Sequence, residues 1–319
     1  MKILHISDLH FPTLLNPFTL RRKSLVGYAN FYLRRRKKHL QHKILVETIR
    51  NLKYDALIIS GDITNVSHPK EFEIAKEILS PILDERTFMI PGNHDRYTKK
   101  SITEDYFEKN FSEYLGDKIE IDVQNPMEAH KARITEPEME KQGNLTESFD
   151  FNRASLYLRM KTIASMKFIG WDSNLLLPAM NAQGLLHPLV AQKTLDIMSQ
   201  SKKSEYMLVC HHPIWNPKDR QESNHHKMRN RESIIQILKS NPPIAYFHGH
   251  LHTNWVKTPD ENVPFYVINS ASSTRISDSH HKSGFHFFNK DNKNDWTSER
   301  YIFNSHRQQF ELSNSIIYS

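Results

Sequence analysis

Five short apolar runs, each stopping at a cluster of Asp, His or Asn, constrain this chain more than anything else in its sequence. Ile3–Ile6 leads to Asp8-Leu9-His10, and Ala56–Ile59 to Gly61-Asp62. Phe88–Ile90 leads to Gly92-Asn93-His94-Asp95. Met207–Cys210 runs into His211-His212, and Ile244–Phe247 into Gly249-His250-Leu251-His252. Apolar runs of this length bounded by Gly, Pro, Asn or Asp read as buried strands. Polar residues therefore recur at the C-terminal ends of five strands, where open α/β sheets place their sites.

The residue types point to metal. A divalent cation used for hydrolysis needs oxygen and imidazole donors and a position left open for water. Asp8, His10, Asp62, Asn93, His211, His250 and His252 offer three oxygen and four nitrogen donors. That is too many for one tetrahedral ion and suits two ions sharing a carboxylate, for which Asp62 is the best bridge. No cysteine occurs in any cluster, which favours harder ions such as Mn, Fe or Zn over a thiolate site.

The ordered set D-x-H, G-D, G-N-H-D, H-H-P and G-H-x-H, spanning residues 8 to 252, resembles the calcineurin-like metallophosphoesterase superfamily. The resemblance implies one cation held by Asp8, His10, Asp62 and His252, and a second held by Asp62, Asn93, His211 and His250. It implies that His94 faces the substrate and assists the leaving oxygen, with Asp95 orienting it. It also implies phosphoester hydrolysis by a hydroxide bridging the two metals. The fold to expect is an α/β, four-layer αββα sandwich of two mixed sheets flanked by helices. The alternation of elements agrees: βα units to residue 90, then strand-rich pairs.

The motifs are spread so widely that one domain, residues 1–319, must assemble from the whole chain. Insertions are expected at about 11–43 and 104–150. Helices are predicted over Ile44–Leu52, Pro69–Leu83, Gly184–Ser199 and Ser233–Leu238. Further strands are predicted near Ser155–Leu158, Lys167–Trp171, Pro264–Ile268, Phe285–Phe288 and Arg300–Phe303. Trp171-Asp172-Ser173-Asn174 reads as a structural turn. His5 and His248 read as core histidines, and His212 as a neighbour of the ligands. The loop pairs His225-His226 and His280-His281 read as incidental. Cys210, the only cysteine, reads as a small core residue.

The net charge of +7 is local. Residues 21–43 carry nine Lys/Arg and no acid, so the remainder of the chain carries −2. Leu25, Tyr28, Ala29 and Tyr32 recur there at helical spacing. Two readings stay open: an interfacial membrane anchor or lipid-facing lid, and a surface helix with a solvated basic face. Its position just after Asp8-Leu9-His10 puts it at the rim of the proposed site. No apolar run is long enough to span a bilayer, and no apolar leader opens the chain. The expected location is cytoplasmic, free or peripheral at the inner membrane face. No nucleic-acid module is recognisable, so the expected partner is a phosphoester, either nucleotide or lipid-linked. A lipid-linked pyrophosphate such as UDP-2,3-diacylglucosamine is the alternative substrate. A non-catalytic scaffold is disfavoured because every ligand position is filled.

Overall fold

A computed structural model describes residues 1–20, 22–122, 153–200, 205–277, 282–291 and 295–319. The first half lays down β1 (Lys2–Ile6), α1 (Arg22–Asn30), α2 (His42–Arg50), β2 (Ala56–Ile59), α3 (Pro69–Leu79) and β3 (Thr87–Met89). Short α4 (Lys99–Thr103), α5 (Tyr106–Phe111) and β4 (Asp117–Lys118) follow. Then come β5 (Leu158–Ile163), β6 (Met166–Trp171), α6 (Pro188–Ser199), β7 (Tyr206–Cys210), α7 (Arg231–Ser240) and β8 (Ala245–His248). The chain closes with β9 (Trp255–Lys257), β10 (Tyr266–Asn269), β11 (Gly284–Lys290), β12 (Trp296–Asn304), β13 (Gln309–Ser313) and β14 (Ile317–Tyr318).

Two mixed sheets result. Six strands run in the order β13-β12-β11-β1-β2-β3, and eight in the order β14-β9-β10-β8-β7-β6-β5-β4. The strands that carry the polar clusters are parallel: β1 beside β2 and β2 beside β3 in one sheet, β7 beside β8 in the other. These are buried on both faces, which explains their unbroken apolar runs.

Three apolar layers hold the molecule together. Leu4, Ile6, Leu57, Ile59 and Met89 face Leu45, Ile49, Phe72, Ala75, Phe107 and Phe111 on the helices outside the first sheet. Ile169, Trp171, Leu208 and Tyr246 face Val190, Met198, Ile234 and Leu238 outside the second. Between the sheets, Ile3, Ile58, Phe88 and Ile90 meet Phe168, Val209, Phe247 and Ile268. Helix, sheet, sheet, helix: the architecture is the αββα sandwich.

Several boundaries differ from expectation for local reasons. The helix expected from Gly184 starts at Pro188, where the His187 side chain accepts from the Leu189 amide and caps it. Gly184 is extended instead and bridges Asn174 and Met228. The helix expected to reach Leu83 ends at Leu79, tightening into a 3₁₀ turn over Ser80–Ile82 that contains Pro81. The segment 104–150 reads in sequence as short helices and loops; residues up to 122 form short helices but also β4, which pairs with β5 at the sheet edge, and the remainder lies outside the described residues.

The basic segment is a helix, but the stripe is not its buried side. Tyr28 and Phe31 point inward with Leu15, Val66 and Tyr97, while Leu25 and Tyr32 are exposed. The helix continues as a five-residue π-turn, Phe31–Arg35. Among the described residues no helix is long and apolar enough to cross a membrane.

Candidate metal centre

The loops leaving β1, β2, β3, β7 and β8 meet at one end of the sandwich, and the seven expected donors meet with them. Glycine makes the approach possible. A Cβ at Gly92 would strike the Asp62 amide and carboxylate, and one at Gly249 would strike Ser7 and Asp8. The second contact draws the loop of one sheet onto the other.

The donors fall into two groups around Asp62. Asp8, His10 and His252 form one set whose donor atoms all lie within 4.8 Å of one another. Within it, His252 Nε2 lies 3.3 Å from Asp8 Oδ1 and 3.3 Å from His10 Nε2. On the other side Asn93 Oδ1 lies 3.2 Å from His211 Nε2 and 3.1 Å from His250 Nδ1. Asp62 Oδ2 stands between the groups, 3.8 Å from His10 Nε2 and 3.3 Å from His211 Nε2. Five of the seven, Asp8, His10, Asp62, His250 and His252, hold left-handed backbones, with φ of 53°, 44°, 56°, 74° and 53°.

The hydrogen-bond network fixes the rings. His10 Nδ1 donates to the Thr64 carbonyl at 3.1 Å, and His211 Nδ1 to the Ser60 carbonyl at 2.8 Å. His250 Nε2 donates to the His226 carbonyl at 2.9 Å. The opposite nitrogen of each ring then turns a lone pair into the site. His211 Nε2 and His250 Nδ1 face each other at 3.3 Å in this way. Acceptors crowded together in a buried pocket are unfavourable unless a cation stands among them, so this donor set fits divalent metal.

The proton equilibria tell the same story. Burial would raise Asp62, but the imidazoles of His211 and His94 outweigh it and hold the carboxyl well below the usual carboxylate range. Burial opposes charge on His211, yet the Asp62 and Asp8 carboxylates raise it to about 9. His250 is driven far down by burial and by the surrounding histidines. A proton on His211 thus stands beside Asp62 where a metal would stand, and its displacement leaves the lone pair a cation needs, while His250 stays neutral.

His94 lines the cleft beside the donors. Its Nδ1 donates to the Asn65 carbonyl at 2.6 Å, and its ring stacks on Tyr97 with centroids 5.6 Å apart and an interplanar angle of 5°. Asp95, expected to orient His94, is bonded to the loop backbone. Its carboxylate accepts from the amides of Ile63, Thr64 and Gly92 and from Thr64 Oγ1. Asp95 therefore locks the β2 and β3 loops together, because those amides are otherwise orphaned. Burial and the nearby Asp62 push it up to about 6.

His212 turns away from the donors, its nitrogens bound to Ser173 Oγ at 2.8 Å and the Ala182 carbonyl at 3.0 Å. The Asp172–Asn174 turn is structural: Asp172 pairs with Arg96 at 2.9 Å, and Asn174 Nδ2 donates to the Pro91 carbonyl. His5 and His248 are core, and Cys210 is buried with Sγ 3.1 Å from Ser173 Oγ. His226 lines the cleft although its loop reads as incidental, and His280-His281 lies outside the described residues. Lys23 and Tyr97 line it too. The sequence signal for Tyr97 is its place three residues after His94; Lys23 is hidden inside the basic run.

A family model, calcineurin-like phosphoesterase, matches residues 1–254. The chain belongs to that family. Members are dinuclear metal-dependent enzymes, in keeping with the two donor groups. Over 97 residues, 30% of each chain, the sequence is 30% identical to a glycerophosphodiester phosphodiesterase, GpdQ, of Enterobacter lignolyticus (strain SCF1). Over 94 residues it is 32% identical to a probable cyclic nucleotide phosphodiesterase of Vesicomyosocius okutanii subsp. Calyptogena okutanii (strain HA), covering 29% of this chain and 39% of that one. The matched stretches thus span well under half the length of these curated relatives. In three dimensions the chain resembles a dimetal phosphatase from Danio rerio, at 12% identity, 98% coverage of both chains and a TM-score of 0.50. It also resembles a purple acid phosphatase of Lupinus luteus, at 9% identity, 97% and 52% coverage and a TM-score of 0.52. These two likenesses concern the fold.

Proposed function

We propose that the chain is a dinuclear metal-dependent phosphoester hydrolase, a phosphodiesterase or pyrophosphohydrolase. The observation that carries this is the convergence of seven donors in two groups about Asp62, four of which (Asp62, Asn93, His250 and His252) line a cleft of about 430 Å³. In this reading Asp8, His10, Asp62 and His252 hold one cation, and Asp62, Asn93, His211 and His250 the other. The cations are Mn, Fe or Zn. When bound, they supply an activated water and positive charge against the phosphoryl oxygens.

The protein's own residues do the rest. The carbonyls of Thr64, Ser60 and His226 hold the ligand rings in the tautomers that binding needs. The Asn65 carbonyl holds His94 Nδ1–H, so when the ring is protonated to the imidazolium its far nitrogen can give the second proton to the leaving oxygen and return to the neutral ring. Asp95 keeps the two loops in register. The phosphodiesterase names of the relatives support a diester substrate. Because both sheets contribute donors to one cleft, we read residues 1–319 as a single domain.

The test is turnover of bis(p-nitrophenyl) phosphate by protein reconstituted with each metal, with metal content measured in parallel. Full metal loading without turnover of any phosphoester would overturn the reading.

A second reading has its own observation. Leu14, Phe18 and Leu33 are 68%, 95% and 79% exposed, on a segment otherwise rich in Lys and Arg. Exposed apolar side chains among cations suit the surface of an anionic membrane, and hence a lipid-linked pyrophosphate hydrolysed at the inner face. Sedimentation with phosphatidylglycerol vesicles tests it; protein that stays in the supernatant at low salt would remove it.

A further inference from the structure

The cleft above the donors has two unlike walls. One is α1 and the turn after it, which contribute Lys23, Gly27, Asn30 and Phe31. The other comes from residues 175–182 and 222–226, including Leu175, Met180 and Asn181. Two charged side chains line the cleft outside the donor cluster, and they differ in kind. Glu222 is neutralised: it accepts from Asn216 Nδ2 and, at 2.5 Å, from the Arg231 guanidinium. Lys23 has no such partner among the described residues. Its ammonium lies 4.0 Å over the centroid of the Tyr97 ring, and among the described residues no carboxylate pairs with it.

Tyr97 in turn stacks on His94, so Lys23 stands two ring contacts from the residue nearest the reacting centre. Packing keeps it there. A Cβ at Gly27 would enter the Tyr97 ring at 2.6–2.8 Å, so α1 rests on that ring only because residue 27 is glycine. Tyr28 and Phe31, on the same helix, are buried in the cluster containing Tyr97. The Tyr28 hydroxyl also accepts the Leu15 amide at 2.9 Å, which tethers the insertion to itself.

A half-buried ammonium with no carboxylate is unfavourable in the bare protein and becomes favourable when an anion arrives. The donor cluster already accounts for the charge of the phosphoryl group being cleaved. Resting on the reading of the site as a phosphoester hydrolase, we propose that Lys23 binds a second anionic group of the substrate, selecting esters with two adjacent negative charges, such as nucleoside diphosphate esters, over singly charged diesters. Burial holds the Lys23 ammonium down at about 8, as a cation awaiting a counter-charge would be. The cation–π contact with Tyr97 sets its resting position, from which it can turn to the ligand.

The test measures kcat and KM of the metal-loaded full chain for a nucleoside diphosphate sugar and for bis(p-nitrophenyl) phosphate. Three variants accompany it: Lys23→Met, Lys23→Arg and Gly27→Ala. Charge-assisted hydrogen bonds lost on truncation typically cost on the order of tenfold or more in binding. The expected result is a wild-type preference for the diphosphate ester. Lys23→Met should reduce that preference about tenfold, mainly through KM, and Lys23→Arg should keep most of it. Gly27→Ala should weaken it by displacing the helix. A preference unchanged in Lys23→Met, or equal losses on both substrates, would overturn the inference. So would a wild-type enzyme that cleaves only the aryl diester, although the hydrolase reading would then stand. Failure to cleave either would overturn both.

Discussion

The floor of the cleft and its α1 wall are held by different means. The floor hangs from five parallel strands in two sheets, and three of its ligand rings, His10, His211 and His250, are each fixed by a hydrogen bond to a backbone carbonyl. The wall rests on a small satellite of Leu15, Tyr28, Phe31, Val66 and Tyr97, separate from the three large layers. Chemistry that must not drift is built into the sheets, whereas the surface that meets the variable part of a substrate sits on a patch that can change without touching them.

Replacing the bridge should give the largest effect. Asp62→Ala is expected to lower turnover on the order of a thousandfold or more, with the fold retained by circular dichroism. Retained turnover in that variant would sink the assignment of the floor. Chelation should match it, removing activity and lowering the melting temperature, because ligand binding favours the folded state. A protein that melts identically with and without chelator would mean that the donors are not held by metal.

The contrast between regions is then tested by a pair of truncations. Phe72→Ala, in the helix-facing layer, should cost about 3–5 kcal/mol of global stability. Phe31→Ala should loosen only the satellite, leaving global unfolding within about 1 kcal/mol and raising KM. Equal costs would show that the wall folds as one unit with the floor.

A smaller effect should come from pH. Burial lowers His42 to about 4 and His286 to about 3. The unfolded chain takes up those protons from about pH 6.5 downward and the folded chain does not. This stability is therefore complete above about pH 6.5 and falls as pH drops towards 4. Denaturant unfolding at pH 7 and pH 5 should differ by about 2–4 kcal/mol, since each histidine costs about 1.4 kcal/mol for every pH step of one below that point. An unchanged difference in a His42→Gln, His286→Gln double variant would place the acid lability elsewhere. The smallest effect is expected at the tip: Phe18→Ser and Leu33→Ser should shift stability by no more than about 0.5 kcal/mol, and should matter only to vesicle binding.

Much of the floor is legible in the sequence because its signals are local. A buried parallel strand announces itself as an apolar run, and the donors follow within a few residues of its end. The wall is not legible in the same way. The stripe Leu25, Tyr28, Ala29, Tyr32 is read from spacing alone, but the protein buries Tyr28 with Phe31 and leaves Leu25, Ala29 and Tyr32 in solvent. Lys23 looks like one of nine equivalent cations, since nothing local reveals that Tyr97, far along the chain, lies beneath it. The bonds of Asp95 are hidden for a similar reason. Its neighbour in sequence is His94, but its neighbours in space are amides of the β2 loop.

The left-handed backbones at Asp8, His10, Asp62, His250 and His252 carry one more consequence. Each such conformation is disfavoured for a residue with a Cβ, by roughly 1 kcal/mol, and least so for Asn and Gly. A Gly at any of these positions would relieve the backbone and remove a donor in the same step. Random drift therefore has a downhill route from catalyst to inert fold, one substitution long at five separate places. Inactive variants of this protein should be found among its more stable ones.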